Sequence, residues 1–410
     1  MIAARFAAAG RPLLFALLYA LLALVLGWTL GGQAISGRID ADLAAPLLMP
    51  GALLLAWLMR GEQPGRRAKL AAGAIGLLLV LQLALHLFLA GRVGPLPLFL
   101  SAVAAILCWL VADGAVQLCA GWRRRFRWPL MIVAVAGWFA VGQGMLAWHH
   151  EDRAPSHRAE VVMLTSLPLR WSGGGDIAQM LAAGPGDLPA LVAIERAVDL
   201  RLVDSTGDYL PPGATLFLAH PRALAPADLV RIDQHLRIGG KAVILADGLS
   251  SWPPPHPLGD PRNPPVTSLL TPLLDHWGIE LAAPAPGAGN GASGNGVAGN
   301  GAAGKDANEA DVFIDPAGYK LRLHSPGRFV RLPESCRSYG GERVARCPIG
   351  RGTVWLVSDA DMLHASQWTS PVTAAPWLRR SDNVAWLIDV LRDPNWSDTT
   401  PPLWIRPRGH

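Results

Sequence analysis

The sequence LAAGAIGLLLVLQLALHLFLA, residues 70–90, contains no Asp, Glu, Lys or Arg. An α-helix needs about 20 apolar residues to cross the hydrocarbon core of a bilayer, because it rises only about 1.5 Å per residue. Four other stretches among the first 150 residues have a similar length and are mostly apolar: residues 12–30, 41–59, 96–120 and 128–148. The sequence therefore predicts a domain of five transmembrane helices over residues 1–150.

The basic residues of this part fall in every second gap between the apolar stretches. Ten of its twelve Lys and Arg residues precede the first stretch, separate the second from the third, or separate the fourth from the fifth. Only Arg38 and Arg92 lie in the other two gaps. Because basic loops stay in the cytoplasm, this pattern predicts a bacterial inner-membrane protein with a cytoplasmic N-terminus. Residues 151–410 are then periplasmic, and the lipid bilayer is a partner of the protein.

The charge balance agrees with this division. Residues 1–150 carry 12 Lys and Arg against 4 Asp and Glu, whereas residues 151–410 carry 24 against 27. The net charge of +5 therefore comes from the loops of the membrane part. The second part has no basic stripe interleaved with aromatic residues, and we expect no nucleic-acid partner.

The second part alternates between strands and helices. Five short apolar runs are typical of buried strands: residues 160–164, 215–218, 241–246, 279–281 and 353–358. Helices are predicted between them, at residues 176–181, 226–238 and 269–277, and from an N-cap at Ser381 through residue 391. This alternation predicts an α/β domain with a mostly parallel sheet over residues 158–393. A polar, Pro-rich tail follows at residues 394–410.

Two segments interrupt the alternation. Residues 284–310 consist mostly of Gly, Ala and Asn, and they contain too little apolar surface to offset the entropy of ordering. We expect a disordered loop there. Residues 311–352 alternate as antiparallel strands do, at 320–324, 329–332 and 344–349, and they predict a β-rich insertion.

Cys336 and Cys347 are the only cysteines after residue 150. A turn-like segment, residues 337–341, separates them, and a periplasmic location is oxidising. They are predicted to form a disulfide that closes a hairpin. The alternative is a pair of free thiols on neighbouring strands. We expect no metal site at this pair, because no other Cys or His stands near it at ligand spacing.

Several short segments of the second part resemble one protein family. They are residues 165–171 (TSLPLRW), 219–224 (AHPRAL), 239–247 (GGKAVILAD), 259–262 (GDPR) and 381–383 (SDN). Together they resemble bacterial membrane-anchored domains related to the gliding-motility-type auxiliary component of ABC transporters, over residues 158–283 and 350–393. The resemblance implies a flavodoxin-like fold of the class I glutamine amidotransferase type, and a permease or ATPase of the ABC type as partner.

An amidotransferase of this fold needs a nucleophilic cysteine at the tight turn after a central strand. The turn after residues 241–246 contains Asp247 and Ser250 but no cysteine, and no Gly-x-Ser-x-Gly pattern surrounds Ser250. Asp247, Asp359 and Asp361 follow predicted parallel strands and could form a polar cluster that holds a cation. The alternative is ordinary capping of turns by Asp. The Gly-rich residues 172–176 match no nucleotide-binding pattern, so we expect no cofactor. We also expect no catalytic residue and no metal site.

Two loops at the same predicted edge of the sheet, residues 167–175 and 250–265, are rich in Trp, Pro, Gly and Arg. The candidate partner-binding residues are Arg170, Trp171, Trp252, Asp260 and Arg262, because aromatic and Arg side chains dominate binding surfaces. The alternative is that the two Trp side chains pack the loops down and that Asp260 and Arg262 form a local ion pair.

The function predicted from the sequence is a non-catalytic auxiliary or scaffold protein of an ABC-type transport or envelope-assembly system. The alternative is an envelope hydrolase or amidase that uses Ser250, or a metal held by Asp247 and Asp359.

Overall fold

A computed structural model describes residues 2–29, 33, 37–39, 45–119, 124–149, 158–170, 186–252, 254, 256–257, 259–283, 311–324, 326–372, 378–393 and 403–405. The chain divides into two compact units. The helical unit comprises Met1–Glu151, Ser370–Arg380 and Pro402–His410, and the α/β unit comprises Asp152–Thr369 and Ser381–Pro401. The predicted disordered loop 284–310, the predicted helix 176–181 and Trp171 lie outside the described residues.

Among the described residues of the helical unit, five α-helices overlap the five predicted apolar stretches. They are α1 (Ile2–Thr29), α2 (Leu48–Leu58), α3 (Pro64–Leu85), α4 (Pro95–Cys119) and α5 (Arg124–His149). A π-helical turn, His86–Ala90, extends α3.

The prediction of five membrane spans is not confirmed. Two of the described helices are long and apolar enough to cross a bilayer, Pro64–Ala90 and Pro95–Cys119. Two shorter apolar stretches are Leu14–Thr29, which is part of the 28-residue helix α1, and Ala45–Leu58. At a rise of about 1.5 Å per residue, the 11 residues of α2 fall short of a hydrocarbon core about 30 Å thick.

The core of the helical unit combines many small side chains with larger ones such as Tyr19, Leu55 and Leu78, and large apolar side chains also lie on its surface. Its buried alanines include Ala20, Ala23, Ala52, Ala56, Ala71, Ala74, Ala105 and Ala112. In contrast, Phe88 and Leu118 are almost fully exposed. Helices in lipid pack through small residues and turn their large apolar side chains outward, so this arrangement suits a membrane environment. Arg67 of α3 donates to Asp113 of α4, which gives each of these charges a partner.

The segment Leu403–Ile405, from the predicted polar tail, pairs with residues 37–39 of the helical unit. The Ile39 amide donates to the Leu403 carbonyl at 2.7 Å, and the Ile405 amide donates to the Gly37 carbonyl at 2.9 Å. Leu403 and Trp404 are buried. Leu403 packs with Ile39 and with Ala90 at the carboxyl end of α3.

The α/β unit contains a seven-stranded sheet in the order β2-β1-β3-β4-β11-β10-β9. Its strands are β1 (Glu160–Thr165), β2 (Asp199–Leu202), β3 (Thr215–Ala219), β4 (Lys241–Leu245), β9 (Arg337–Tyr339), β10 (Val344–Ile349) and β11 (Gly352–Val357). The first five strands of this order are parallel, and β10 and β9 are antiparallel additions. The mostly parallel sheet predicted from the sequence is confirmed, and its parallel part has the strand order of flavodoxin-like sheets.

Both faces of this sheet are buried. Along β3, Phe217 and Ala219 join the core on one face, whereas Leu216 and Leu218 join the core on the other. The described helices that accompany the sheet are α6 (Pro189–Ala197), α7 (Pro226–Arg237), α8 (Thr271–His276), α9 (Ala365–Trp368) and α10 (Asn383–Arg392). Residues of α6 and α10 belong to the first core, and residues of α7 and α8 to the second. Helices on both faces are the doubly wound arrangement expected for parallel strands.

The strands of the predicted β-rich insertion, residues 311–352, are divided among three sheets: β9 and β10 join the seven-stranded sheet, and the others lie in two antiparallel two-stranded sheets. Strands β6 (Asp311–Ile314) and β7 (Lys320–Leu323) pair with each other, and β5 (Glu280–Ala282) pairs with β8 (Arg328–Arg331). Helix α6 and strand β2 have no counterpart among the elements predicted from the sequence. Strand β2 is an edge strand whose sequence, DLRL, alternates charged and apolar residues and lacks the buried run used to find the others.

Asp315, in the turn between β6 and β7, should make stability depend on pH. Burial raises the pKa of its carboxyl to about 6. The folded state therefore keeps a proton that the unfolded chain releases near pH 4, so stability is complete below about pH 4 and falls as the pH rises through about 6. We expect Asp315→Asn to remove a loss of about 2–3 kcal/mol between pH 4 and 7. Urea unfolding at both pH values measures it; an equal pH dependence in wild type and variant would contradict the prediction.

Cys336 and Cys347 lie within bonding distance, with their sulfur atoms 1.98 Å apart. Thiol labelling of the denatured protein tests this pair, because Cys108 and Cys119 are the other two cysteines and are free. We expect two labelled thiols before reduction and four afterwards. The double variant Cys336→Ala/Cys347→Ala should lose about 2–3 kcal/mol of unfolding free energy, from the loss of loop closure. Four labelled thiols without reductant would show that the bond does not form.

Candidate functional site

Four polar side chains meet where three neighbouring parallel strands end. His220 directly follows β3. One residue separates Asp247 from the end of β4, and Asp359 and Asp361 follow β11. Because β3, β4 and β11 are adjacent and parallel, their carboxyl ends lie side by side at one edge of the sheet. One carboxylate oxygen from each Asp lies within 4.8 Å of the others. These four residues are called the strand-end cluster below.

Asp247 and Asp359 are completely buried. One oxygen of Asp247 accepts a hydrogen bond from the Ala360 amide at 3.0 Å, and one oxygen of Asp359 accepts from the His324 amide. The other oxygen of each carboxylate has no hydrogen-bond partner. Burial, reinforced by the nearby Asp361, raises the pKa of the Asp247 carboxyl well above its ordinary value. Burial, together with Asp247 and Asp361, does the same to the pKa of Asp359.

His220 is also completely buried and adopts a left-handed backbone conformation, with φ of +46°. Its Nε2 lies 2.7 Å from the Pro265 carbonyl oxygen, which can only accept, so Nε2 carries the hydrogen. In the neutral ring Nδ1 is then a bare acceptor. It has no hydrogen-bond partner and lies 3.9 Å from the unpaired oxygen of Asp247. Burial lowers the pKa of His220, against the opposing effects of Pro265 and Asp361, and favours this neutral form.

Asp361 connects the cluster to the loop after β4. It accepts hydrogen bonds from the Ser250 hydroxyl at 3.3 Å and from the Ser251 amide at 2.8 Å. The Ser250 hydroxyl, proposed above as an alternative nucleophile, therefore points to a carboxylate. A triad of the serine hydrolase type would instead require it to donate to a histidine.

The turn after β4 leaves little space at the position where an amidotransferase carries its nucleophile. A Cβ atom at Gly248 would lie 2.8 Å from the Ala282 carbonyl oxygen of β5. The amide of Ser268 donates to the Asp247 carbonyl at 2.7 Å and closes the turn from the other side. We find no arrangement for acyl transfer among the described residues of this turn.

The candidate partner-binding residues differ in exposure. Trp252 is buried, belongs to the core and packs edge-on against His364, with ring centres 5.5 Å apart. Asp260 and Arg262 form a bidentate ion pair, with Nη2 2.7 Å and Nε 3.0 Å from the two carboxylate oxygens, and this pair lowers the pKa of Asp260. The Arg262 side chain remains 66% exposed. Arg170 is exposed and pairs with Glu195 of α6.

Sequence reasoning missed His220, although its position directly after a buried strand is the same signal that identified Asp247. It also missed the structural role of Ser381-Asp382-Asn383. Ser381 is not the N-cap of α10, because the helix begins at Asn383 after Asp382 and the Ser381 hydroxyl donates to the Gln367 carbonyl at 2.9 Å. Asn383 instead bonds to the backbone of β7.

Residues 189–283, from α6 to the end of β5, match the model of a family described as an ABC-type uncharacterized transport system. This match supports the predicted auxiliary family. The segment matched is less than a quarter of the chain, and it includes His220 and Asp247 of the strand-end cluster. The amidotransferase-like fold is not confirmed by the comparisons. No curated protein matches this chain.

Two solved structures show a distant similarity. The exo-β-1,4-mannosidase Op5Man5 from Opitutaceae bacterium strain TAV5 is 14% identical, with a TM-score of 0.31 over 62% of this chain. A cold-adapted β-galactosidase from Rahnella sp. R3 is 15% identical, with a TM-score of 0.24 over 57% of this chain. This chain spans 38% and 33% of those two proteins. Similarity this low carries no conclusion about fold or activity.

Proposed function

We infer that the protein is a non-catalytic auxiliary component of an ABC-type transport system, anchored in the inner membrane, whose α/β unit docks onto the transporter. The family match over residues 189–283 is the observation that carries this proposal. A second observation in its support is that the Ser250 hydroxyl, in the loop after β4, donates to Asp361 and not to a histidine.

The helical unit supports a periplasmic location of the C-terminal segment. Leu403 packs on Ala90, at the carboxyl end of α3, whereas Arg66, Arg67 and Lys69 lie in the first turns of that helix. If α3 crosses the bilayer, its basic amino end faces the cytoplasm and the C-terminal segment lies on the other side. Gln63–Pro64 would thus be cytoplasmic, and the α/β unit would follow α5 into the periplasm, where Cys336 and Cys347 can oxidise.

The surface that we assign to the partner surrounds the loop after β4. Three exposed apolar side chains, Leu249, Val266 and Leu269, belong to two segments that backbone hydrogen bonds hold together, from the Ser250 amide to the Val266 carbonyl and from the Ser268 amide to the Asp247 carbonyl. In the same region the Arg222 guanidinium donates to the carbonyl of the exposed Arg262. An apolar centre with an Arg rim is the usual composition of a protein interface.

Affinity purification of the full-length protein in mild detergent from its native membrane tests the proposal. We expect an ABC ATPase and permease to copurify with the wild type. Val266→Asp, or Trp171→Ala with Arg262→Ala, should reduce their recovery at least about tenfold, which corresponds to 1.4 kcal/mol of binding free energy.

Val230→Asp is the matched control, because Val230 on α7 is as exposed as Val266 but lies outside the patch. It should leave recovery unchanged. Purification of the protein without any ABC component, or equal recovery with all variants, would refute the proposal.

A further inference from the structure

We propose that His220, Asp247, Asp359 and Asp361 form a binding site for one divalent transition-metal ion of the Mn²⁺ or Zn²⁺ class. This inference does not depend on the proposed transporter partner, because metal binding is measured on the purified chain alone.

Three buried atoms of the cluster have no partner: Nδ1 of His220, one oxygen of Asp247 and one oxygen of Asp359. The carbonyl of Pro265 fixes the hydrogen of His220 on Nε2, so that Nδ1 faces Asp247 as a lone pair. When the carboxyl groups are ionised, all three atoms are acceptors that receive no hydrogen bond. Buried polar groups rarely remain without a partner, and a cation is the partner that satisfies acceptors only.

The cluster also brings together buried carboxylates that have no Lys or Arg partner. Three carboxylates converge within 4.8 Å, and all three residues are buried. Among the described residues none of them forms an ion pair with Lys or Arg, and His220 is the only basic side chain paired with the cluster. Burying unpaired carboxylates is costly in free energy, and such groups in proteins are usually paired or bound to a metal. One divalent ion would neutralise most of this charge.

The types of ligand atom indicate the class of metal. Ca²⁺ and Mg²⁺ prefer sites made of oxygen ligands alone, whereas imidazole nitrogen favours Zn²⁺ and related transition metals. Three carboxylates with one imidazole form a mixed set that suits Mn²⁺ or Zn²⁺. The hydrogen bond between Nε2 and Pro265 is the kind of outer contact that orients a histidine ligand.

The site would connect three chain segments that are distant in sequence. It joins the ends of β3, β4 and β11, and Asp361 also holds Ser250 and Ser251 of the following loop. Because the ligands are buried, the metal is expected to enter as the unit folds and to contribute its binding free energy to folding. The left-handed conformation of His220 fits this role, since backbone strain persists where the surroundings fix it.

The test uses full-length protein in detergent, treated with EDTA and desalted. After incubation with MnCl₂ or ZnCl₂, and with CaCl₂ or MgCl₂ for comparison, elemental analysis should find about one equivalent of Mn or Zn per chain. Asp359→Asn and His220→Asn should each reduce this at least tenfold. Asn tolerates positive φ, so the second variant keeps the backbone conformation. Asp315→Asn, which changes another buried carboxylate, is the matched control and should keep one equivalent.

Two further readouts do not depend on the folding of the variants. A hundredfold excess of metal over its Kd should raise the Tm of the wild type by about 5 °C or more. Electron spin resonance of bound Mn²⁺ should show coupling to one imidazole nitrogen. Less than about a tenth of an equivalent of every metal, with no change in Tm, would overturn the inference and show that shared protons satisfy the cluster.

Discussion

Gly352→Ala is expected to destabilise the α/β unit more than any other single methyl addition considered, by about 4 kcal/mol or more, and to yield largely unfolded protein. A Cβ atom at this position would lie 2.3 Å from the carbonyl oxygens of both Gly240 and Leu236. Both atoms are backbone, at the end of α7 and the start of β4, so no side chain can rotate away. Strand β11, which begins at Gly352, would have to separate from α7.

Circular dichroism and urea unfolding measure this effect, and Gly213→Ala is its control. Gly213 has φ of +93°, yet no atom lies within 4 Å of its added Cβ. That variant therefore carries only the cost of a left-handed alanine, about 1–2 kcal/mol. Gly352 itself has no positive φ, so a loss no larger than that of Gly213→Ala would show that α7 and β11 move apart at little cost.

Asn383→Ala is expected to cost about 3–4 kcal/mol of unfolding free energy. The Asn383 side chain is completely buried and acts as a strand partner for β7. Its Oδ1 accepts from the Arg322 amide at 2.9 Å, and its Nδ2 donates to the carbonyls of Arg322 and Met362 at 2.8 and 3.0 Å. Alanine would leave these backbone groups buried without partners, at about 1–3 kcal/mol for each group that water cannot reach.

Asn263→Ala is the matched control for this prediction. Asn263 makes the same pattern of contacts, to the amide and carbonyl of His256 and to the Pro257 carbonyl, but in a partly exposed loop. Water can replace its side chain, so we expect a loss of only about 1 kcal/mol. Urea unfolding compares the two variants. A loss below about 1 kcal/mol for Asn383→Ala would show that β7 does not depend on this contact.

The sequence predicted the main strands of the α/β unit but not the importance of Gly352 and Asn383. The strands β1, β3, β4 and β11 were predicted because each is a run of apolar residues bounded by polar ones, and burial on both faces requires such runs. Gly352 and Asn383 carry no such signal. Gly352 is sensitive because backbone atoms at the end of α7 lie against it, and Asn383 because its side chain bonds to β7. Both partners are more than 60 residues away along the chain.

The strand-end cluster was also predictable from the sequence only in part. Asp247, Asp359 and Asp361 were candidates from the sequence, because residues that follow parallel strands share one edge of a sheet. The sequence could not show that β3 lies beside β4, and hence that His220 faces Asp247 at 3.9 Å. It also left two interpretations of Trp252 and of Asp260 with Arg262. The structure buries Trp252 in the core and pairs Asp260 with the exposed Arg262.

The sequence by itself determined the apolar helices of residues 1–150, the direction of their charge asymmetry, and the mostly parallel α/β class of the second part. These properties follow from hydropathy and periodicity, which each segment carries independently of the others. Only the tertiary structure decided that Leu403–Ile405 pairs with residues 37–39, that β3 lies beside β4, and which buried acceptors receive no hydrogen bond. Those outcomes depend on where each segment ends and on what lies against it, and neither is a property of any one segment.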